Sequence, residues 1–336
     1  MKIRMLLACM LPFALLATGL AAEEAPKTWS YARDANTELI LSENPETPGK
    51  PHLTLRMFGS TAEGMILNVD SVCEPVADGL KAISGDAEDE SLRITGKPGA
   101  PVLQVKADEL PRFDDRDKDV EVSGAYQLLP AGAVLDRAKK RATVADEQLA
   151  ADYKKLLPQL TKEEVTELAS LQEKWKTRRD QEALFDAKGA GDPKAKLEYW
   201  DKLVELTSTR LEFLRVYSRK GIPKGVTATY RDFDGGWLHL EERKKGLAFS
   251  LEVVRGPSAH SGFIEGIAKR EGKLATFREV VPKDEEREPA EITFTFVADN
   301  KVQVAAKNAG YHGGARAYFD GLYFKAHPLE AELPVE

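Results

Sequence analysis

The sequence predicts an α+β protein in which an antiparallel helical hairpin module of three helices stands between two small antiparallel β domains. Three observations predict this. Residues 145–217 have helical periodicity and almost no glycine outside the GAG at 189–191. Both flanks carry short alternating segments broken by Gly, Pro, Asn and Asp, the pattern of antiparallel strands. The segments of the two flanks also correspond in order, as copies of one unit would.

The chain opens with Lys2 and Arg4, continues as MLLACMLPFALLATGLAA and ends that run in small residues before Glu23. This is the pattern of a secretory signal peptide over residues 1–22, cleaved at Ala21 or Ala22. The alternative, a membrane anchor, suits it less, because the run is short and has no basic flank after it. Cys9 has too few residues before it for a lipoprotein acylation site and falls in the discarded segment. The expected location is the periplasm or the extracellular medium.

The exported remainder is long enough for several small domains, divided here as 23–135, 136–221 and 222–336. It keeps one cysteine, Cys73, so it has no internal disulfide and must be stabilised by packing. Cys73 is either a buried, inert side chain or a free thiol. Losing Lys2 and Arg4 leaves 46 basic against 55 acidic residues, a net charge of −9. That balance disfavours nucleic acid and anionic membranes as partners and favours a basic protein.

In the N-terminal flank the strand segments are TELILSE, PHLTLRMFG, SLRITG, PVLQVKA and VEVSGAYQLLP. The first helix is expected in ADEQLAADYKKLL and ends near Pro158, which cannot continue a helix. Thr161 opens the second, with Glu164 three residues on as a capping box. The third starts at about Pro193 with Asp192 as its N-cap. Its stripe of Leu197, Trp200, Val204, Leu211 and Leu214 predicts a hairpin with the second helix. The C-terminal flank supplies GWLHLEE, LAFSLEVVRG, EITFTFVADNKVQVAA and AYFDGLYFKAHP.

TELILSE aligns with WLHLEE, PHLTLRMFG with LAFSLEVVRG, the hairpin after Glu90 with that after Ala290, and VSGAYQLLP with FDGLYFKAHP. A diverged duplication predicts that 28–130 and 225–328 superpose, with Gly124 and Tyr126 over Gly321 and Tyr323. Two unrelated sandwiches of similar composition are the alternative.

The second helix places Leu168, Gln172, Trp175, Arg179 and Asp180 at helical spacing, and the third carries Leu206, Thr207, Arg210 and Leu214. This arrangement resembles the helical domain of the LprI-type lysozyme-inhibitor family. That domain has a Gln, a Trp three residues on, an Arg-Asp beyond it and a Thr-x-x-Arg on the returning helix. A weaker resemblance extends to SAHSGFIEG, EITFTF and YHGGARAYFDGLYFKA in the C-terminal flank. The family's cysteine staples are absent: Ala183 and Lys202 stand at about two of those places. The β domains are then expected to supply the stability the staples would give. Trp175 is read as filling the groove between helices, with the stem of Arg179 packed on it and its head on an acid or a carbonyl of a neighbouring helix. A recognition surface is the alternative.

Other constellations point away from catalysis. FDDRDKD at 113–119 has alternating acids but Val120 where a calcium loop needs Gly and Tyr126 where it needs Glu, so it reads as a solvated loop. DFDGGW reads as a plain turn. His260 and His312 sit in glycine-rich turns with no acid behind them and no Gly-x-Ser-x-Gly elbow. No Walker or dinucleotide fingerprint occurs and no metal ligands pair, so no cofactor is expected.

The resemblance implies an exported, non-enzymatic protein that occludes a lysozyme cleft. Such a cleft holds two carboxylates, which a rigid loop of hydrogen-bond donors can satisfy. Tyr311, His312 and Arg316 in GYHGGARAY are the candidate donors, with a simple β turn as the bland alternative. The competing function is a structural or scaffolding envelope module of the same fold.

Overall fold

The computed structural model describes residues 27–59, 65–83, 92–107, 121–217, 224–256, 260–283, 285–329 and 331–334. The expected signal peptide and the FDDRDKD segment lie outside them. The described residues form two closed antiparallel barrels of eight strands each, with three α-helices between them in the chain.

The first barrel comprises β1 (Thr28–Ala32), β2 (Thr37–Ser42), β3 (His52–Phe58), β4 (Met65–Val76), β5 (Gly79–Ile83), β6 (Leu92–Thr95), β7 (Val102–Ala107) and β8 (Gly124–Leu128). The second comprises β9 (Ala228–Arg231), β10 (Gly236–Arg243), β11 (Gly246–Arg255), β12 (His260–Glu271), β13 (Leu274–Arg278), β14 (Glu291–Ala298), β15 (Lys301–Lys307) and β16 (Gly321–His327). Each strand pairs with the next and the last returns to the first, so neither barrel has an open edge. Period-two alternation sends Leu39, Leu41, Leu53, Leu55 and Cys73 into the first interior. Leu238, Leu240, Phe249, Leu251 and Phe294 fill the second. Cys73 is thus buried, and burial pushes its thiol up to about 12, which makes it a poor nucleophile.

The correspondence between the flanks extends to register. Tyr31 faces Leu39 and Leu128, as Tyr230 faces Leu238 and Lys325. Leu39–Leu55 and Leu55–Val69 recur as Leu238–Leu251 and Leu251–Ile264. Leu80–Ile94, Ile94–Val105 and Leu103–Tyr126 recur as Ala275–Phe294, Phe294–Val304 and Val302–Tyr323. Because a slip of one residue would turn a strand's apolar set outward, such agreement in register is a strict criterion. The hydroxyls of Tyr126 and Tyr323 also donate to equivalent carbonyls, Val122 at 2.8 Å and Phe319 at 3.1 Å.

Six strands escape the sequence pattern: β1, β4 and β5, and their counterparts β9, β12 and β13. In β12 the cause is Gly266, whose absent Cβ leaves space for the Phe277 ring; a Cβ there would fall 2.3 Å from it. In β4 the alternation is blurred by polar residues on a long strand and by Pro75.

The helices are α1 (Ala133–Leu156), α2 (Lys162–Asp186) and α3 (Leu197–Tyr217). Helix α1 starts well before the expected ADEQLAADYKKLL because its first half buries small residues, Ala138 and Ala142, which give a weak apolar signal. The capping box is present: Glu164 N–H donates to Thr161 Oγ1 at 3.2 Å and Thr161 N–H to Glu164 Oε2 at 3.0 Å. Thr161→Ala is expected to cost about 1 kcal/mol, read from urea denaturation. Asp192 caps only a 3₁₀ turn, Pro193–Ala195, before α3 begins. On α3, Val204, Leu211 and Leu214 are buried, whereas Leu197 and Trp200 are only half-buried near its start.

The barrels dock on the helices in different ways. Phe324 of β16 packs edge-on to Phe213 at 5.4 Å and against Tyr217 at 5.1 Å, an apolar seam with α3. Lys301 pairs with Glu167 at 2.7 Å and Arg231 with Glu212 at 3.0 Å around it. The first barrel instead presents a charged cluster. Glu38 and Arg56 are cross-strand partners, both buried. Glu38 also binds Arg137 at 2.6 Å and Arg141 at 2.8 Å from α1, while Asp201 of α3 pairs with Arg56. The Arg141 guanidinium lies 3.7 Å over the Phe58 ring.

Candidate functional site

Two groups of residues hold the sequence-derived candidates. The first lies at one end of the second barrel, where the connections after β9, β13 and β15 emerge together. Asn308 takes a left-handed conformation, φ 53°, and turns the chain into a short 3₁₀ segment, Ala309–His312. Gly313 bridges back to Gly262, and Gly314 N–H donates to the Ser261 carbonyl at 2.9 Å, so the loop is tied to β12. Tyr311 is 76% exposed and Arg316 is exposed as well.

His312 differs from its expected setting. Its Nε2 stands 3.1 Å from Glu279, so an acid does lie behind this histidine. Sequence reading missed it because Glu279 belongs to another loop, after β13, and meets His312, after β15, only once β13, β14 and β15 pair side by side. Glu279 also receives both Nη atoms of Arg287, at 2.6 and 2.8 Å, and the Ala290 N–H at 3.1 Å. The Arg287 hydrogen bonds prevail over burial and hold the Glu279 carboxyl at about 2. The Arg287 guanidinium in turn lies 5.1 Å from the Tyr311 ring. The loop is therefore an exposed tyrosine and arginine on a base braced by Glu279 and Arg287.

At the same end, DFDGGW is more than a plain turn. Asp232 Oδ1 accepts from the N–H groups of Asp234 and Gly236, which shapes the turn. Its other oxygen pairs with buried Arg255 at 2.6 Å, and Arg255 reaches Tyr323 Oη at 3.2 Å. Asp234 pairs with Arg178 of α2 and accepts from Tyr318 at 3.2 Å, joining the turn to the helices. These acids are committed internally.

The second group is on the helices. Trp175 is 5% exposed and packs with Leu168, Leu171, Leu211 and Leu214. Arg179 lies 5.0 Å over its ring and pairs with Asp146 of α1 at 2.6 Å and with its neighbour Asp180 at 3.0 Å. The Arg179 head thus reaches an acid of the neighbouring helix while its guanidinium lies over the indole. Gln172 accepts from Arg210 Nε at 2.9 Å across the α2–α3 seam, and Thr207 is buried one turn before Arg210. The Gln172, Trp175 and Arg179 face is thus answered by Thr207 and Arg210 on the returning helix.

Residues 131–214 match the model of the lysozyme inhibitor LprI family. The match covers the LprI-like helical segment and neither barrel. No curated protein and no solved structure matches the chain.

At the positions of the missing staples, this LprI-like segment uses other contacts. Ala183 is fully buried with Ala142, Tyr199, Leu203 and Val204, and Lys202 pairs with Glu205 at 2.8 Å and Asp186 at 3.7 Å. Among the described residues, no helix is long and apolar enough to cross a membrane.

Proposed function

We propose that the protein is an exported, non-enzymatic lysozyme inhibitor that works by occluding the enzyme's cleft. The match of 131–214 to the LprI family carries this reading. On it, residues 1–22 are a signal peptide and the remainder acts in the periplasm or outside the cell. The units 23–135, 136–221 and 222–336 are the proposed domains, the outer two arising by duplication; the shared strand order and registers support that descent.

The proposed contact is the Tyr311–Arg316 loop. Its backbone is tied at Gly313 and Gly314, so little ordering entropy would be lost on binding. Arg316 can donate to a cleft carboxylate and Tyr311 can lie on the sugar-binding wall. His312 serves by its contact with Glu279, bracing the base of the loop. The acidic body would speed encounter with a basic enzyme, mainly through association rate.

The test is lysis of cell-wall suspensions by a panel of lysozymes with and without the protein, beside binding to immobilised lysozyme. The expected result is inhibition, with association slowed by salt. Replacing His312 and Arg316 together with Ala is expected to raise the dissociation rate at least tenfold while leaving the melting temperature nearly unchanged. Unchanged dissociation would reject this loop, and no binding to any lysozyme at micromolar concentration would reject inhibition. The scaffold alternative would then stand, and the internal commitment of His312 to Glu279 favours it.

A further inference from the structure

The second barrel has no edge strand, yet β12 is longer than β13 and is only partly paired on that side. Residues of an antiparallel strand direct their N–H and C=O groups alternately to one neighbour and to the other. On β12 the tight turn after Glu271 closes the pair with Leu274, and Lys269 pairs with Thr276, so the odd-numbered residues face β13. At the other end the Ser261 carbonyl, on the same side, accepts from Gly314 N–H at 2.9 Å, beside the bridge of Gly262 to Gly313. Between these two ties Glu265 and Ile267 face that side as well. Among the described residues no strand pairs with them there, and no loop hydrogen-bonds to their main chain. Ile264 and Gly266 face the other way, into the ladder with β11, opposite Leu251 and Phe249.

Strand β13 leaves β12 because its continuation follows β14 instead. Glu279 N–H donates to the Ala290 carbonyl at 2.9 Å, and the Glu279 carboxylate receives Ala290 N–H and Arg287, which anchors the chain on the β14 side. The parted seam shows in exposure: the Phe277 ring turns inward onto Phe249 and Gly266, yet both it and Gly266 remain half-exposed. On the outer face beside the seam, Phe263 is 50% exposed and its diagonal neighbour Val254 41%. Glu252 and Glu265 are exposed next to them and form no ion pair among the described residues, whereas Lys269 and Arg278 are taken by Glu271 and Glu291. The seam is therefore an apolar floor, a row of unpaired main-chain groups and a negative rim.

We propose that this stretch of β12 accepts an extended segment of a partner protein as an added strand, antiparallel to β12. Glu265 and Ile267 supply the main-chain bonds, the way in which an unpaired strand side recruits a peptide. Residues of the segment opposite Ile264 and Gly266 turn inward onto the Phe277 ring and are apolar. The residue opposite Glu265 turns outward between Glu265 and its surroundings and is Lys or Arg, as an opposite-charge cross-strand pair requires. An aromatic residue opposite Phe263 completes the outer face. The occupant is thus a short strand in which apolar residues flank a basic one. Its site adjoins the Tyr311–Arg316 loop through Gly313 but does not depend on lysozyme inhibition.

The experiment follows amide hydrogen exchange and chemical shifts of the nitrogen-15-labelled protein by NMR while a blocked pentapeptide, Thr-Val-Lys-Val-Tyr, is titrated. In the free protein the Glu265 and Ile267 amides are expected to exchange at least about tenfold faster than those of Ile264 and Gly266. The peptide is expected to slow and shift them saturably. Methylating the peptide's lysine nitrogen, which faces Glu265, is expected to weaken binding at least about tenfold, whereas methylating the next valine nitrogen, which faces away, leaves it. Replacing the lysine by glutamate is expected to weaken binding too. Glu265→Pro removes a donor on the unpaired side only and is expected to abolish binding with the β11 pairing intact. Should that variant fail to fold, Glu265→Lys is expected to reverse the preference between the lysine and glutamate peptides. Equal protection of Glu265, Ile267, Ile264 and Gly266 in the free protein would mean that another part of this chain already covers the site, and would overturn the proposal. No shift at millimolar peptide, or equal binding of the two methylated peptides, would overturn it as well.

Discussion

Trp175→Ala is expected to lower stability by about 3–5 kcal/mol, the range for deleting a buried aromatic side chain. The indole is 5% exposed and touches the apolar residues that unite α2 with α3. Its loss leaves a cavity that neighbouring helices can only partly close. It also strips Arg179 and Arg210 of the ring that lies 5.0 and 5.7 Å from their guanidinium carbons. With no disulfide to hold the hairpin, the defect falls on packing alone. Urea denaturation followed by helical circular dichroism measures it. A loss well below 1 kcal/mol would mean that the indole is a recognition surface and not a structural one.

Glu38→Ala is expected to have a similar effect, about 3–5 kcal/mol, because it leaves buried Arg56 and half-buried Arg137 and Arg141 without their shared carboxylate, with only Asp201 remaining beside Arg56 and Arg141. Glu38 is fully buried and receives Arg56, Arg137 and Arg141. Burial opposes its ionisation, but the hydrogen bond from Arg141 and the charges of Arg56 and Arg141 prevail and lower its pKa. A carboxylate with a lowered folded-state pKa contributes stability above its unfolded pKa and loses it as pH falls through the folded value. The contribution is therefore complete at neutral pH and disappears below the ordinary glutamate range. Asp201 works in the opposite sense: burial outweighs the pull of Arg56 and Arg141, its pKa is raised, and the folded state favours its protonated form. Acid sensitivity of this cluster thus follows Glu38. Urea midpoints measured against pH should show the wild type losing its advantage over Glu38→Ala in acid, and parallel curves would refute the assignment. In acid, limited proteolysis should find the first barrel released before the second, since the second is held by the apolar Phe324 seam, with its ion pairs Lys301–Glu167 and Arg231–Glu212 only at the margin.

Much of the candidate site was legible because its signals are local. The Gln172–Trp175–Arg179 face needs only helical spacing, and the capping box at Thr161 and Glu164 spans a single turn. The loop at Tyr311–Arg316 stands out by its glycines. Glu279 and Arg287 were not legible, because they belong to a different connection and reach His312 and Tyr311 only through the pairing of β13, β14 and β15. Asp232 was read as a turn residue, which it is, but its pairing with Arg255 depends on β9 and β11 lying across β10 from each other. Arg210 could be identified by its motif, while its buried Nη atoms, without a hydrogen-bond partner among the described residues, follow from how three helices meet.

By itself the sequence determined the class and order of the parts: strands, three helices, strands, with the two sets of strands alike. Period-two and helical periodicities are properties of neighbouring residues, and the hydrophobic effect converts each into a buried face without reference to the rest of the chain. Only the tertiary structure decided that each set of strands closes into a barrel, and that one barrel meets the helices through buried charge and the other through aromatic packing. Closure depends on the last strand finding the first, as β8 finds β1 and β16 finds β9. The partners of Glu38, Asp232 and His312 come from distant elements, and no local pattern encodes which carboxylate a folded chain will bring to which cation.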